Sequence, residues 1–182
     1  MEGKDCKLLI VDDDDVIRKA YKRYLKKAEF EGTIIECSDG IEALEIMDKE
    51  AISCVLLDYK LPTISGLEVL TRLKENSSPI STVPVIFITG SKDKNIDHQA
   101  LKLGASEYLQ KDEINEYSLE RTIRYVMETN HITVTELKRL NHELTDANQV
   151  KKAFLSKISH ELKTPLNIII GFILNIFLKM NS

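Results

Sequence analysis

The stretch from Ser53 to Pro62 constrains the fold more than any other part of the chain. Residues 53–57 are mostly apolar, and the run ends on the carboxylate of Asp58. An apolar run without a polar break is typical of a strand that is buried on both faces of a parallel sheet. A loop signal at residues 61–66 and a helical pattern from Leu67 follow it. Because chemistry in open α/β sheets collects at the carboxyl ends of strands, Asp58 is a candidate nucleophile, metal ligand or both.

Four more strand patterns alternate with helical patterns over the first 130 residues. The predicted strands cover residues 7–11, 33–37, 53–58, 83–90 and 106–110. A helical pattern follows each strand, and Gly104 is placed to end the fourth helix at about residue 103. Five such alternations predict an α/β fold with a five-stranded, doubly wound parallel sheet.

Polar side chains lie where the predicted strands end. These are Asp12 and Asp13 after the first strand, Asp58 at the third, Thr89 at the fourth and Lys111 after the fifth. Three carboxylates at one edge of a sheet repel one another unless a cation joins them, and Mg²⁺ binds a few carboxylates while keeping several waters. With a hydrogen bond from Thr89 and the charge of Lys111, the set describes a place that holds a phosphoryl group in line with a carboxylate.

From residue 5 to about residue 129 the sequence resembles the receiver domain of two-component response regulators. The resemblance implies a flavodoxin-like sheet with strand order 2-1-3-4-5. It implies that Asp58 accepts a phosphoryl group from a phosphohistidine on a kinase or phosphotransfer protein. Thr89 and Lys111 are then expected to bind the phosphoryl oxygens, and Tyr108 matches the aromatic residue that changes rotamer on phosphorylation.

The same resemblance implies a magnesium site. Its expected ligands are Asp13, Asp58 and the backbone carbonyl of Lys60, with Asp12 contributing through water. The chain departs from the family at Asp112, which stands where the family usually has a proline, often after a cis peptide bond. A cis bond is rare before a residue other than proline, so we expect a trans bond there.

The last fifty residues have a different pattern and a different charge. Residues 131–182 carry seven Lys or Arg against four Asp or Glu, a net charge of +3, whereas the whole chain has a net charge of −4. A heptad repeat runs from Leu137 to Ile158, within a helix that we expect from residue 114 to 162. We interpret it as a parallel homodimeric coiled coil through residues 130–165. The alternative is one amphipathic helix folded back on the domain. The positive excess is spread along the helix and gives no strong case for nucleic acid.

Residues 154–166 resemble the phosphoacceptor box of sensor histidine kinases. The resemblance implies His160 as a phosphorylated histidine, Glu161 as the residue that helps deprotonate it, and Thr164 as a participant in phosphatase chemistry. In the heptad, His160 falls at position c, outside the seam. Pro165 is expected to kink the helix just beyond it. Imidazole suits the role because it is a nucleophile near neutral pH.

Together these patterns predict three parts. They are a receiver domain (1–129), a coiled-coil linker helix (130–153) and a truncated phosphoacceptor, or dimerisation, segment (154–182), as expected for a truncated hybrid sensor histidine kinase in phosphorelay signalling. Gly171 is the only glycine after Gly104, so a glycine-rich nucleotide-binding segment is absent. We therefore expect no ATP-dependent kinase activity from this chain alone.

Composition indicates the cellular compartment of the protein. Two functions other than phosphorelay signalling remain open. Three cysteines without disulfide or zinc spacing favour a reduced, cytoplasmic protein. The most apolar segment, Leu166 to Leu178, is shorter than the roughly 20 residues of a membrane span, so we expect no membrane span in this chain. The first alternative is a haloacid dehalogenase-type phosphatase with Asp12 as nucleophile and Asp14 as acid. The second is a dimerising scaffold that is never phosphorylated.

Overall fold

Strands and helices alternate along the chain as the sequence predicts. The structure is a computed structural model that describes residues 6–75, 82–90 and 94–180. The strands are β1 (Lys7–Val11), β2 (Thr33–Cys37), β3 (Cys54–Asp58), β4 (Val85–Thr89) and β5 (Glu107–Gln110). The helices are α1 (Asp15–Lys27), α2 (Gly40–Lys49), α3 (Gly66–Glu75), α4 (Lys94–Leu103) and α5 (Glu116–Met180).

The five strands form one parallel sheet in the order β2-β1-β3-β4-β5. This confirms the predicted fold class and strand order. All five residues of β3 and all five of β4 are buried. Their apolar runs are continuous because both strands lie inside the sheet and are covered by helices on each face. Asp58 stands at the carboxyl end of the central strand.

Alternate residues of each strand enter two hydrophobic layers. One layer contains Leu9, Leu57 and Phe87 and packs against residues of α2, α3 and α4. The other contains Leu56 and Ile86 and packs against residues of α1 and of the first turns of α5. Each fully buried side chain of this size stabilises the fold by roughly 1.5–3 kcal/mol relative to an exposed one. The helices are thus fixed on the sheet, and so are the loops that carry the strand-end residues.

Side-chain caps explain where two of the helices begin, and a glycine explains where α4 ends. Asp14 caps α1 by accepting a hydrogen bond from the amide of Val16 at 2.8 Å. The positive φ of Gly104, +107°, ends α4. The fifth helix begins at Glu116, later than the predicted residue 114, because the side chain of Asn115 caps its first turn. A short 3₁₀ helix, Lys111–Glu113, lies between β5 and this cap.

The chain divides into two units, residues 1–132 and 133–182. The second unit is helical from residue 133 to Met180, which is beyond the predicted end at residue 162. Pro165 lies inside the helix and does not end it. No helix in the described ranges is both long and apolar enough to cross a membrane.

The heptad residues of the second unit are exposed in the single chain. Their apolar members include Leu137, Leu140, Leu144, Phe154 and Ile158. Exposed apolar side chains in a row of this length are unusual at a protein surface.

Candidate functional site

Asp58 occupies the carboxyl end of β3 in a buried position. Its side chain is at the floor of a crevice of about 450 Å³ that Asp13, Lys60 and Lys111 also line. The residue as a whole is 2% exposed. The backbone amide of Lys60 donates a hydrogen bond to its Oδ2 at 3.2 Å. This contact brings the backbone of Lys60, a predicted source of a metal-binding carbonyl, to the carboxylate.

Two more carboxylates lie beside Asp58 because β1 is its neighbour in the sheet. The register pairs Val11 with Leu57, so the residues that follow Val11 reach the level of Asp58. Oxygen atoms of Asp12, Asp13 and Asp58 lie within 4.8 Å of one another. Asp12 is 1% exposed and Asp13 is exposed. The structure thus brings together the three carboxylates that the sequence predicts as a cluster.

Lys111 supplies positive charge to this cluster. It is the first residue after β5, and its Nζ lies 2.8 Å from Oδ2 of Asp12 and 2.9 Å from Oδ1 of Asp58. One ammonium group therefore contacts two buried carboxylates, and Asp13 adds a third carboxylate. The negative excess that remains is the electrostatic reason for a further cation at this place.

Burial and charge shift the pKa values of this pair. The pKa of Asp58 is raised to about 6, chiefly by burial and also by the charge of Asp12, while the hydrogen bond and charge of Lys111 act in the opposite direction. Burial acts to lower the pKa of Lys111, but its contacts with Asp12 and Asp58 outweigh burial and raise this pKa. Near neutral pH the lysine is therefore charged and most Asp58 side chains are ionised.

The donor set fits Mg²⁺. Carboxylate oxygens are hard ligands, and Mg²⁺ is held in proteins by one or a few of them together with waters. Asp13 is exposed and can present its carboxylate to a hydrated ion, while Asp12 and Asp58 are fixed by hydrogen bonds. The oxygen cluster and the unbalanced charge are the observations that support this fit.

Thr89 and Tyr108 lie on the two strands beyond β3. Thr89 ends β4, the neighbour of β3, and is fully buried one residue beyond Ile88, the register partner of Asp58. Tyr108 lies in β5 and is half-buried against the hydrophobic layer that contains Phe87. No peptide bond in the described ranges is cis, so the bond before Asp112 is trans, as expected.

The predicted histidine kinase residues lie in the second unit. His160 and Glu161 are exposed on α5. The side chain of Thr164 lies outside the described residues. The seam residues are exposed as well, so the heptad position c of His160 stays a prediction.

Sequence reasoning missed two residues that shape the site. Gly66 begins α3, its amide bonds the carbonyl of Tyr59 at 2.9 Å, and a Cβ there would clash with the backbone carbonyl oxygen of Asp58. Asp39 caps α2 and also accepts a hydrogen bond from the amide of Thr63 at 3.2 Å, which ties down the loop after β3. The only sequence signal was the Asp39-Gly40 dipeptide and the glycine in the loop, neither of which reveals a long-range contact.

The chain is similar in sequence and in fold to known response regulators. The transcriptional regulatory protein SrrA of Staphylococcus aureus is 36% identical over 104 residues, which are 57% of this chain and 41% of that protein. The chain thus matches less than half the length of this relative.

Among solved structures, a putative response regulator from Chloroflexus aurantiacus superimposes with a TM-score of 0.62 at 25% identity, over 68% of this chain and 98% of that one. The chemotaxis response regulator CheY4 of Vibrio cholerae gives 0.59 at 25% identity, over 66% and 98%.

The haloacid dehalogenase-type alternative is wrong, for two reasons. The carboxylate of Asp14, its expected acid, caps α1 instead. The response regulator receiver domain matches residues 8–124, which include Asp12 and Asp14 and cover more than half of the chain. The chain therefore belongs to the family of response regulator receiver domains.

Proposed function

We propose that the protein is a phosphoryl-accepting signalling module of a two-component system, with Asp58 as the acceptor. The observation that carries this proposal is the contact of Lys111 with both Asp58 and Asp12 beside the exposed carboxylate of Asp13. A nucleophilic carboxylate, a fixed cation and two further carboxylates meet the needs of phosphoryl transfer, in which positioning and charge neutralisation supply most of the catalysis.

The proposed reaction is transfer from a phosphohistidine of a partner protein. An oxygen of the Asp58 carboxylate attacks phosphorus, the P–N bond to the donor imidazole breaks, and the imidazole nitrogen takes the electron pair and then a proton. The product is an acyl phosphate on Asp58. Lys111 and Thr89 bind the transferred oxygens, and Lys111 exchanges part of its contact with Asp12 and Asp58 for them. Asp12, Asp13, Asp58 and the carbonyl of Lys60 would hold Mg²⁺, which neutralises negative charge on the phosphoryl group.

We further propose that α5 carries the signal to a dimeric second part. In this proposal residues 1–129 are the receiver, 130–153 a parallel coiled coil, and 154–182 a histidine kinase phosphoacceptor segment with His160 as the phosphorylated residue. Three observations support it. The helix is continuous from Glu116 to Met180, the apolar heptad residues are exposed, and so are His160 and Glu161. Tyr108 is the proposed rotamer switch on the receiver side.

Incubation with Mg²⁺ and acetyl phosphate, followed by peptide mapping, tests the acceptor. We expect label on Asp58 that is lost in Asp58→Asn. The matched control is Asp48→Asn, because Asp48 is an exposed carboxylate on α2 outside the site. Label on Asp12 would point to a different nucleophile. No label with an intact fold would favour the scaffold alternative, in which the exposed seam alone carries the function.

Coupling along α5 has its own test. Leu140→Pro removes a backbone hydrogen bond and kinks or breaks the helix between the receiver and His160, and the loss of helix signal in circular dichroism shows which has occurred. If the helix transmits the signal, phosphorylation of Asp58 changes the reactivity of His160 with a phosphodonor kinase in the parent chain and has no effect on it in Leu140→Pro. Unchanged coupling in that variant would refute transmission through the helix, with Asp58 labelling as the check that the receiver still works.

A further inference from the structure

The turn that carries Asp12 and Asp13 is held by a set of hydrogen bonds. The amide of Asp12 donates to the carbonyl of Cys37 at 3.3 Å, so the turn is attached to β2. The carboxylate of Asp12 accepts from the amide of Asp14 at 2.9 Å and from Lys111 at 2.8 Å. These contacts fix Asp12 itself. They do not fix the direction in which the next residue, the exposed Asp13, leaves the turn.

Arg18 makes the contact that fixes that direction. It lies on α1, and its Nη1 donates to the carbonyl oxygen of Asp12 at 2.6 Å. That carbonyl belongs to the peptide unit that joins Asp12 to Asp13. Because a peptide unit is planar, a hydrogen bond to its oxygen sets the orientation of the whole plane, and with it the position of the Cα of Asp13. Arg18 thus acts between two of the three carboxylates of the site.

Glu36 holds Arg18 from the other side. Its Oε2 lies 3.6 Å from Nε of Arg18, and its Oε1 contacts Nζ of Lys22 at 2.6 Å. The Arg18 side chain is 17% exposed, and its Nε is buried without a hydrogen-bond partner, so the contact with Glu36 is an ion pair at longer range. A guanidinium can meet a carbonyl and a carboxylate at once through its fork of N–H groups, whereas a lysine ammonium is a single point charge.

From this geometry we propose that Arg18 is a positioning residue for the magnesium site. It holds the Asp12–Asp13 peptide so that the exposed carboxylate of Asp13 is presented to the ion, and Glu36 keeps it in place. The inference rests on the proposed function, since it needs Mg²⁺ at the acidic cluster. Groups that orient metal ligands from outside typically change metal affinity by 10–100-fold when they are removed.

Calorimetric titration of the full chain with Mg²⁺ tests the proposal. We expect Arg18→Met to raise the dissociation constant for Mg²⁺ about tenfold. Arg18→Lys should raise it about threefold, because lysine keeps the positive charge but lacks the forked N–H groups of the guanidinium. Lys19→Met is the matched control. It removes the same charge from the next residue of α1, and Lys19 contacts Asp15 at the surface. Its affinity should stay within about twofold of the parent.

Two further samples separate failure of the inference from failure of the proposed function. Asp13→Asn should lose most Mg²⁺ affinity, and a parent chain that binds no Mg²⁺ would refute the magnesium site itself. If the parent binds Mg²⁺ while Arg18→Met and Arg18→Lys bind it equally well, Arg18 has no positioning role, even if their melting temperatures fall. Equal weakening by Lys19→Met would assign the effect to net charge and also overturn the proposal. Should Arg18→Met fail to fold by circular dichroism, Arg18→Lys decides.

Discussion

The two units of the chain place their apolar side chains in opposite surroundings. In the first unit every residue of the central strands β3 and β4 is buried, and Leu56, Leu57 and Phe87 are fully buried. In residues 137–173 the large apolar side chains that the structure describes are exposed, from Leu137 to Ile173. The sequence period explains the difference. The apolar side chains of the strands pack against other strands and helices of the same chain, whereas the apolar side chains of a heptad repeat pack against those of another helix.

Both units have exposed ion pairs, such as Lys49 with Glu45 in the first, but the first unit also has a pair of buried carboxylates, Asp12 and Asp58, that share one lysine. The ion pairs of Lys111 in the first unit are buried, and burial raises the pKa of Asp58. In the second unit Arg139 pairs with Glu136 at 2.7 Å and also contacts Glu143, all on the exposed surface. There the hydrogen bond from Arg139 lowers the pKa of Glu136. Burial thus favours the protonated form of a carboxylate, whereas exposed ion pairs change the stability of the helix only slightly.

The largest effect on the free energy of unfolding should come from removing a core side chain of the first unit. Phe87 is fully buried and contacts the Tyr59 ring with a centroid distance of 6.1 Å. We expect Phe87→Ala to lower the free energy of unfolding by about 3–5 kcal/mol, because it leaves a cavity under the site. Urea denaturation followed by circular dichroism measures it. Phe154→Ala in the second unit is the control and should leave the receiver transition unchanged. Equal losses of unfolding free energy in Phe87→Ala and Phe154→Ala would refute the contrast between a buried core in the first unit and exposed apolar side chains in the second.

A second, smaller effect should come from the charge of Asp58. Its pKa in the folded protein, about 6, is above the ordinary value of 3.8, so the folded state binds a proton more tightly than the unfolded state. The free energy of unfolding therefore falls as pH rises from about 4 to about 6 and stays low above it. Without Mg²⁺, Asp58→Asn should stabilise the protein at pH 8 by on the order of 2–3 kcal/mol and change little at pH 4. Urea denaturation at both pH values measures this, and a destabilised variant at pH 8 contradicts it.

The sequence predicted the receiver well because local and long-range signals agree there. Continuous apolar runs gave β3 and β4, and strand ends gave the carboxylate cluster together with Lys111, since parallel topology brings such ends together. The contacts of Gly66 and Arg18 were not predictable, because each depends on how closely two backbone segments approach. In the second unit the helix end was placed too early, at residue 162. A proline within a helix gives no sign of whether the chain beyond it stays helical.

The seam offers a third way to sharpen the contrast between the units. Leu144 lies at heptad position a and is exposed in the single chain. If residues 130–165 form a parallel dimer, Leu144→Ala should weaken the dimer about tenfold, which corresponds to about 1.4 kcal/mol. Sedimentation equilibrium of the full chain measures it.

Gln149→Ala at the outer position f is the matched control for Leu144→Ala and should leave the dissociation constant unchanged. A parent chain that sediments as a monomer at all accessible concentrations would refute the dimer.

The smallest effect is expected from the exposed ion pairs of the second unit. Arg139 contacts Glu136 one turn before it and Glu143 one turn after it, and such exposed pairs support a helix only weakly because water and salt screen them. We expect Arg139→Gln to change the dimer dissociation constant less than twofold at 150 mM salt. By contrast, Lys111→Gln in the first unit removes the cation that contacts Asp12 and Asp58, and it should markedly lower the amount of phosphorylated Asp58 at the same salt concentration. If Arg139→Gln instead dissociated the dimer, its ion pairs would belong to the dimer interface, and the exposed character assigned to this surface would hold only for the isolated chain.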